Sequence, residues 1–557
     1  MEKSFIYKND RPWPNQRFKR MAIVGHTTAV SSRFWFRTGR PGTYTMLLYP
    51  SQSDPKGKIF QGFKTVPYTA INSLPDVVRK FEFNVPDYDH DTTFVVEVDE
   101  LSPLTEYCYA LYGEEESVFR ILVGQDRQYS FRTLPEHTAA TSFIFYSCHM
   151  PYKHSIFGGT NIVNMEMWDF LSQVMERHYS EDLRFAIAGG DQVYVDGVKT
   201  LDIWKYLNNV MDKKRGELVP SKEEMVSWYR DIYRGYWGFP ALQKVFSSYP
   251  NYMLWDDHEL GDGWGSYFIK EGKGDELDEI FPKRKEKKLS REDCIQLLNR
   301  MKQAATQVYE EYQHNHNPGT PTGQYDYSVS LNGTAIYFLD GRGYRDVNRR
   351  SNRILGQTQL KRFNAWLKAL DPAQTQFLFV VSAVPVLHMK PIFVNADSTT
   401  LADLGDLQDD LRDAWEHKLH DVERKALLKA LFSAAQRGIR VCILSGDVHV
   451  SAAFRMIEET SGATMYQLTS SAITYNKPRL LGWLLGNTVP DDGKSNDGYR
   501  FERLALYTDS NFSLIRVDPD NDRVVFQLYG QQQVSHPEGA EEDKPMTHSI
   551  AKLELYF

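Results

Sequence analysis

Residues 184–194 read RFAIAGGDQVY, a short apolar run that stops at two glycines and is followed at once by Asp191. A continuous apolar run of this length, bounded by turn residues, fits a strand covered on both faces. The same arrangement recurs along the chain. SFIFYS (142–147) leads to Cys148-His149, and NYMLW (251–255) leads to Asp256-Asp257-His258-Glu259. TAIYFL (334–339) leads to Asp340-Gly341-Arg342, and VCILS (441–445) leads to Gly446-Asp447-Val448-His449. QFLFVVSAV (376–384) is one more such run, and amphipathic stretches such as NIVNMEMWDFLSQVMERHY (161–179) lie between the runs. Buried strands alternating with helices predict an α/β region, and in such sheets ligands bind at the carboxyl ends of the strands.

Outward from that region the pattern changes. Residues 20–136 carry short alternating runs: SRFWFRTG, YTMLLYPS, KFEFNV, TFVVEVDEL, TEYCYALYG, VFRILVG and QYSFRTLP. About seven short strands with turn residues between them predict an N-terminal all-β sandwich, residues 1–136, with a boundary near Pro135. Residues 137–557 are then the second unit, with helical inserts at about 196–250 and 262–325. After residue 500 alternation returns in NFSLIRVD and RVVFQLYG, which predicts further strands. KRKEKK (283–288) reads as a solvated insert.

The chain has 557 residues, 41% hydrophobic and 25% charged, which are globular values. A net charge of −8 argues against a nucleic-acid binder, and no apolar run is long enough to span a bilayer. Four cysteines, Cys108, Cys148, Cys294 and Cys442, are too few for a disulfide framework. The polar N-terminus lacks the apolar segment of an export signal, so the expected location is the cytoplasm.

Taken singly, each strand-end motif has an ordinary explanation: a small buried cysteine, a Gly-Asp turn, acids capping a helix start. Together they deliver ionisable groups after nearly every core strand, which chance does not readily do. Carboxylates, imidazoles, a thiolate and a phenolate suit two or more cations, with Asp191 the best bridge between them. Such a pair clamps a phosphate ester and activates a bound water. Asp256, Asp257 and Asp262 would repel one another without cations.

GDQVY, WDDHE and GDVH, in this order on βα units, resemble the calcineurin-like metallophosphoesterases. Within them SC, GDxxY, WDDHE, LDxR and SGDxH resemble the PhoD-like alkaline phosphatases. The resemblance covers nearly the whole chain. It implies an α/β metallophosphatase fold, a mixed β-sandwich flanked by helices, behind a small β domain. It implies that Cys148 and a tyrosine bind Fe(3+), that Asp191 bridges it to Ca(2+), and that Asp447 and His449 complete the centre, with Asp257 as a further ligand. The family's iron-binding tyrosine precedes the WDDHE strand, where this chain has WYRDIYRGYW (228–237). Counting back from WDDHE favours Tyr236 over Tyr229 and Tyr233, with Tyr194 as the alternative. Two departures bear on the site. Asp262 stands where the family commonly has an amide, which also admits Mn, Mg or Zn, and His149 stands where it often has glutamine. The missing export signal means that a secreted scavenging role is not carried over.

Among the other residues, His258 is expected to protonate the leaving group and Arg342 to hold a phosphoryl oxygen. Glu259 is expected to orient His258, and His388, His417 and His420 to be surface or lid residues. Trp204, Trp228, Trp237 and Trp264 are expected to wall the site. The leading function is a metal-dependent phosphoester hydrolase acting on a small phosphate ester. The alternatives are a phosphodiesterase or phospholipase-D-like hydrolase, and a non-catalytic binding or scaffold protein that kept the fold.

Overall fold

The computed structural model describes residues 20–54, 73–113, 129–137, 140–154, 160–198, 201–269, 272, 275–331, 333–348, 353–390, 412–475, 486–535 and 549–557. The N-terminal region is β-rich. Its strands are β1 (Met21–Thr27), β2 (Ser32–Arg37), β3 (Gly42–Pro50), β4 (Arg79–Val85), β5 (Thr93–Val98), β6 (Glu106–Gly113) and β7 (Tyr129–Arg132). They form two antiparallel sheets, β1-β2-β5 and β4-β3-β6-β7, which share one aromatic-rich core that includes Phe34, Phe36, Tyr109 and Phe131. The expected strand VFRILVG lies outside the described residues, and β1 was not among the runs read from the sequence. Period-two alternation along β2 turns Trp35 away from Phe34 and Phe36. Trp35 joins the core of the larger unit, and its indole donates to Glu311 O at 2.7 Å.

The remainder is built on two mixed sheets. Its strands are β8 (Thr141–Tyr146), the β9–β10 hairpin (Tyr152–His154, Thr160–Ile162), β11 (Leu183–Gly189), the β12–β13 hairpin (Asp212–Lys214, Glu217–Val219) and β14 (Asn251–Leu254). Next come β15 (Tyr327–Leu331), β16 (Gly333–Phe338), β17 (Thr375–Ser382), β18 (Arg440–Ser445), β19 (Ser451–Glu458) and β20 (Thr464–Thr469). The last are β21 (Gly493–Lys494), β22 (Tyr499–Tyr507), β23 (Asn511–Asp518), β24 (Arg523–Gly530) and β25 (Ala551–Tyr556). One sheet has the order β14-β11-β8-β23-β24-β25 and the other β15-β16-β17-β18-β20-β19-β22-β21. The parallel strands β8, β11 and β14 stand side by side in the first sheet, and β16, β17, β18 and β20 in the second.

A single apolar cluster takes side chains from both sheets, among them Phe143, Phe185, Phe379 and Leu444. The outer face of the first sheet is covered by the helices Glu166–Tyr179, Lys222–Trp237, Pro240–Phe246 and Arg291–Tyr312. The outer face of the second is covered by Gly356–Ala369 and Asp421–Gln436. Both long insert helices start on a reciprocal cap, Ser221 with Glu224 and Ser290 with Asp293, which satisfies free amides of the first turn. In the basic run, Arg284 and Lys285 pair with Asp278. No helix among the described residues is long and apolar enough to cross a membrane.

Candidate metal centre

Two of the parallel strands, β11 and β18, end at a glycine that lets the neighbouring loops close together. A Cβ on Gly446 would lie 2.4 Å from Ser147 Cβ, and one on Gly190 only 3.0 Å from Asp256 Cβ and 3.1 Å from Ala383 Cβ. The loops after β8, β11, β14 and β18 therefore meet at one edge. Cys148, Asp191, Asp447 and His449 all adopt left-handed backbone, with φ of 59°, 57°, 64° and 53°. That region is unfavourable for residues with a Cβ and is typically retained at functional sites.

The side chains converge on Asp191. Ligand atoms of Cys148, Asp191 and His449 lie within 4.8 Å of one another, and so do those of Asp191, Asp257 and His258, and those of Asp191, Asp256, Asp257 and Asp447. Cys148 Sγ lies 3.3 Å from Asp191 Oδ2 and 3.2 Å from Ser471 Oγ. The Tyr194 hydroxyl is 3.3 Å from Asp191 Oδ2 and 2.9 Å from His449 Nε2. The His449 ring stacks on Tyr475 at 3.6 Å.

The electrostatics fit a cation. Three buried carboxylate oxygens, Asp191 Oδ1, Asp256 Oδ2 and Asp257 Oδ1, accept no hydrogen bond from the described residues, Asp257 Oδ1 having only a 3.5 Å ion pair with Arg342 Nη2. Buried polar atoms are nearly always satisfied, so three such acceptors in one cluster point to a positive ligand. Burial, then the neighbouring acids, pushes Asp191 well above the usual carboxylate range, although His258 pulls it down. Burial and the Asp191 charge likewise raise the Cys148 thiol. Thiolate, imidazole, phenol and carboxylates together form a donor set that suits a transition metal beside a harder cation.

His258 is held at the rim. Its Nδ1 is 2.7 Å from Asp196 Oδ1, and its ring lies over Tyr194 at 4.0 Å. Burial opposes its charged form, but Asp196, Asp257 and Asp191 outweigh burial and raise it well above the ordinary value. Asp196 is absent from the sequence-derived set, although it lies only five residues beyond Asp191 in GDQVYVD.

Glu259 does not touch His258. Its carboxylate accepts the main-chain amides of Gln192 at 2.7 Å, Asp256 at 2.8 Å and Asp191 at 3.2 Å, and the Gln313 side chain at 2.9 Å. Burial raises it to about 8 against the pull of those donors.

The structure corrects several sequence expectations. Tyr236 is fully buried and its hydroxyl faces Met150 Sδ at 3.3 Å, so the tyrosine in the cluster is Tyr194. Tyr229 and Tyr233 also point elsewhere, to Leu260 O and the Gln313 amide, because the helix turns all three into the core. Asp262 is not in the converging set; its amide is bound to Asp196.

Arg342 is 1% exposed and every guanidinium nitrogen is used: Nε on Asp256, Nη1 on Trp264 O at 2.9 Å and Asp413 at 3.0 Å, Nη2 on Asp413. Four of its five N–H groups are bonded in this way, and Nη2 also lies 3.5 Å from Asp257 Oδ1, so the buried guanidinium serves the acids. Trp228, Trp237 and Trp264 are core residues, because the inserts build an apolar layer of their own on the sheet. His388, His417 and His420 are 2%, 5% and 5% exposed, which excludes a surface role.

Residues 157–481, more than half of the chain, match the family described as PhoD-like phosphatase. An uncharacterized protein of Saccharomyces cerevisiae is 23% identical over 401 residues, covering 62% of this chain and 53% of that protein, so the chain spans about half the length of that relative. Among solved structures, PhoD superposes with a TM-score of 0.59 at 15% identity, over 93% of this chain and 87% of PhoD. A purple acid phosphatase from yellow lupin (Lupinus luteus) seeds gives a TM-score of 0.49 at 11% identity, over 92% of this chain and 72% of that one. With its strand-end motifs gathered at one sheet edge, this chain belongs to the PhoD-like phosphatase family.

Proposed function

We propose that the protein is a metal-dependent phosphoester hydrolase acting on a small phosphate ester. The observation that carries this reading is the set of buried carboxylate oxygens on Asp191, Asp256 and Asp257 that accept no hydrogen bond from the described residues, gathered beside Cys148, Tyr194 and His449. Cys148, Tyr194, Asp191 and His449 would hold one cation, in keeping with Fe(3+). Asp191, Asp257, Asp256 and Asp447 would hold a harder one, in keeping with Ca(2+). Bound cations supply positive charge to a phosphoryl group and acidify water.

The protein's own groups then divide the work. Asp191 belongs to every converging set and would be the carboxylate shared by both cations. Asp196 fixes Nδ1 of His258, which leaves Nε2 to carry a proton to the leaving oxygen. Arg342 holds Asp256 in place and offsets the acids from behind. Expected results are bound metal by elemental analysis and metal-dependent turnover of an aryl phosphate monoester or its diester analogue, the ratio reporting the preferred class. Protein that binds no metal under any loading condition, or that is metal-loaded and inert on both esters, would refute the reading.

A further inference from the structure

We infer that Glu259 is the positioning residue of the metal centre, the single acceptor that sets the loops carrying Asp191 and Asp256 against each other. This rests on the proposed metal-dependent reading and goes beyond it by naming what holds the ligand cage in shape. One carboxylate collects three main-chain amides from two loops: Asp191 and Gln192 after β11, and Asp256 after β14. The neighbouring strands β11 and β14 are parallel, and their hydrogen-bond ladder ends at Gly189 and Leu254. Beyond those residues the Glu259 clamp takes over from the ladder. It bonds the amide of Asp191, whose φ of 57° is otherwise disfavoured, and so carries a backbone conformation that directs the bridging carboxylate.

Glu259 touches no candidate ligand side chain through its own carboxylate, and it is 1% exposed, so a substrate does not reach it. Its orientation is set from outside the loops. Gln313 donates to Glu259 Oε1 at 2.9 Å and to the Tyr233 hydroxyl at 3.0 Å. Gln313 directly follows Tyr312, whose hydroxyl is bound to Asp91 of the N-terminal region. Asp91 also accepts two N–H groups from Arg37 and two from Arg234, at 2.9–3.0 Å. The clamp is thus braced by the helix end that the N-terminal β-rich region grips.

The test is Mn2+ binding to the full-length protein, measured by titration calorimetry after metal removal, with turnover and Tm of the same samples. Glu259→Gln replaces an acceptor oxygen by an NH2 group that faces donors. Groups that orient ligands from outside the first coordination sphere typically contribute 10–100-fold in metal affinity, so Mn2+ binding should weaken by roughly that factor. KM measured at saturating Mn2+ should stay at the wild-type value, and raising Mn2+ from sub-saturating levels should recover part of kcat. Gln313→Ala, which keeps the carboxylate and removes its side-chain donor, should weaken Mn2+ in the same direction by a smaller factor. Wild-type Mn2+ affinity in Glu259→Gln overturns the inference. If Glu259→Gln does not fold, Gln313→Ala decides: weaker Mn2+ binding supports the clamp, and unchanged binding overturns it. Because metal affinity is read without substrate, an inert enzyme that still shows these shifts would sink the hydrolase reading and leave the clamp intact.

Discussion

The Nδ1 atom of His258 lies 2.7 Å from Asp196 Oδ1, and Asp196 is not one of the carboxylates that converge with Asp191. His258 also converges with Asp191 and Asp257, so its bond to Asp196 makes an action on substrate and a place among the cation ligands two roles that experiment can tell apart. His258→Asn should keep the metal content and lower turnover of an alkyl phosphate by roughly 10²–10⁴-fold, the usual range for acid assistance. An aryl phosphate with an acidic phenol should lose less. Metal lost together with activity would make His258 a ligand.

The same pair sets a pH dependence. Asp196, with Asp257 and Asp191, raises His258 against the effect of burial, so the protonated form persists to higher pH than for a free imidazole. If that form is the acid, activity falls on the alkaline side as the proton leaves. Asp196→Asn removes the largest favourable charge, and the alkaline limb of the pH–rate profile should move to lower pH. A limb that stays in place would show that another group controls it.

Tyr194 and Tyr236 give opposite expectations. Tyr194→Phe removes the hydroxyl that contacts Asp191 and His449, so any ferric phenolate colour should disappear. Tyr236→Phe removes contacts to Met150 Sδ and to the Tyr194 main chain and should leave the visible spectrum unchanged. Colour that survives Tyr194→Phe and vanishes in Tyr236→Phe would reverse the assignment.

Asp191 is shared by all three converging sets, so Asp191→Ala should empty both cation positions together. Elemental analysis after dialysis checks this. Full retention of one metal equivalent would show that each position has enough ligands without Asp191.

Arg342 is expected to matter for stability and not for substrate affinity. Arg342→Ala would strand Asp256 as a buried charge and leave Asp413 with Arg345 alone, and breaking such a pair costs about 3–5 kcal/mol. Thermal denaturation should show a large drop in Tm, while the protein that remains folded keeps its KM. A raised KM at unchanged Tm would restore the phosphate-holding role.

The sequence by itself determined the positions of the buried strands and the chemistry at their ends. Continuous apolar runs at 142–147, 184–189, 251–255 and 441–445 follow from burial on both faces, and Cys148, Asp191, Asp257, Asp447 and His449 follow those runs directly in the chain. The N-terminal strands were legible for the same reason, since alternation reports a half-buried sheet. What the tertiary structure decided were contacts between residues distant in sequence. Helical spacing in WYRDIYRGYW marks three equivalent tyrosines, but only packing shows that all three face the core and that Tyr194, on a strand-end turn, faces His449. Arg342 after a strand looks the same whether it meets a phosphate or three buried acids, because Asp413 lies 71 residues away and only the fold brings it there. Asp196, and not Glu259 as expected, holds His258 for a local reason. The turn after β11 returns Asp196 to the His258 ring, while the tight Asp257–Glu259 turn directs the Glu259 carboxylate inward, onto the amides of the neighbouring loop. Periodicity encodes which face of an element is buried, and it carries no information about which partner waits on that face.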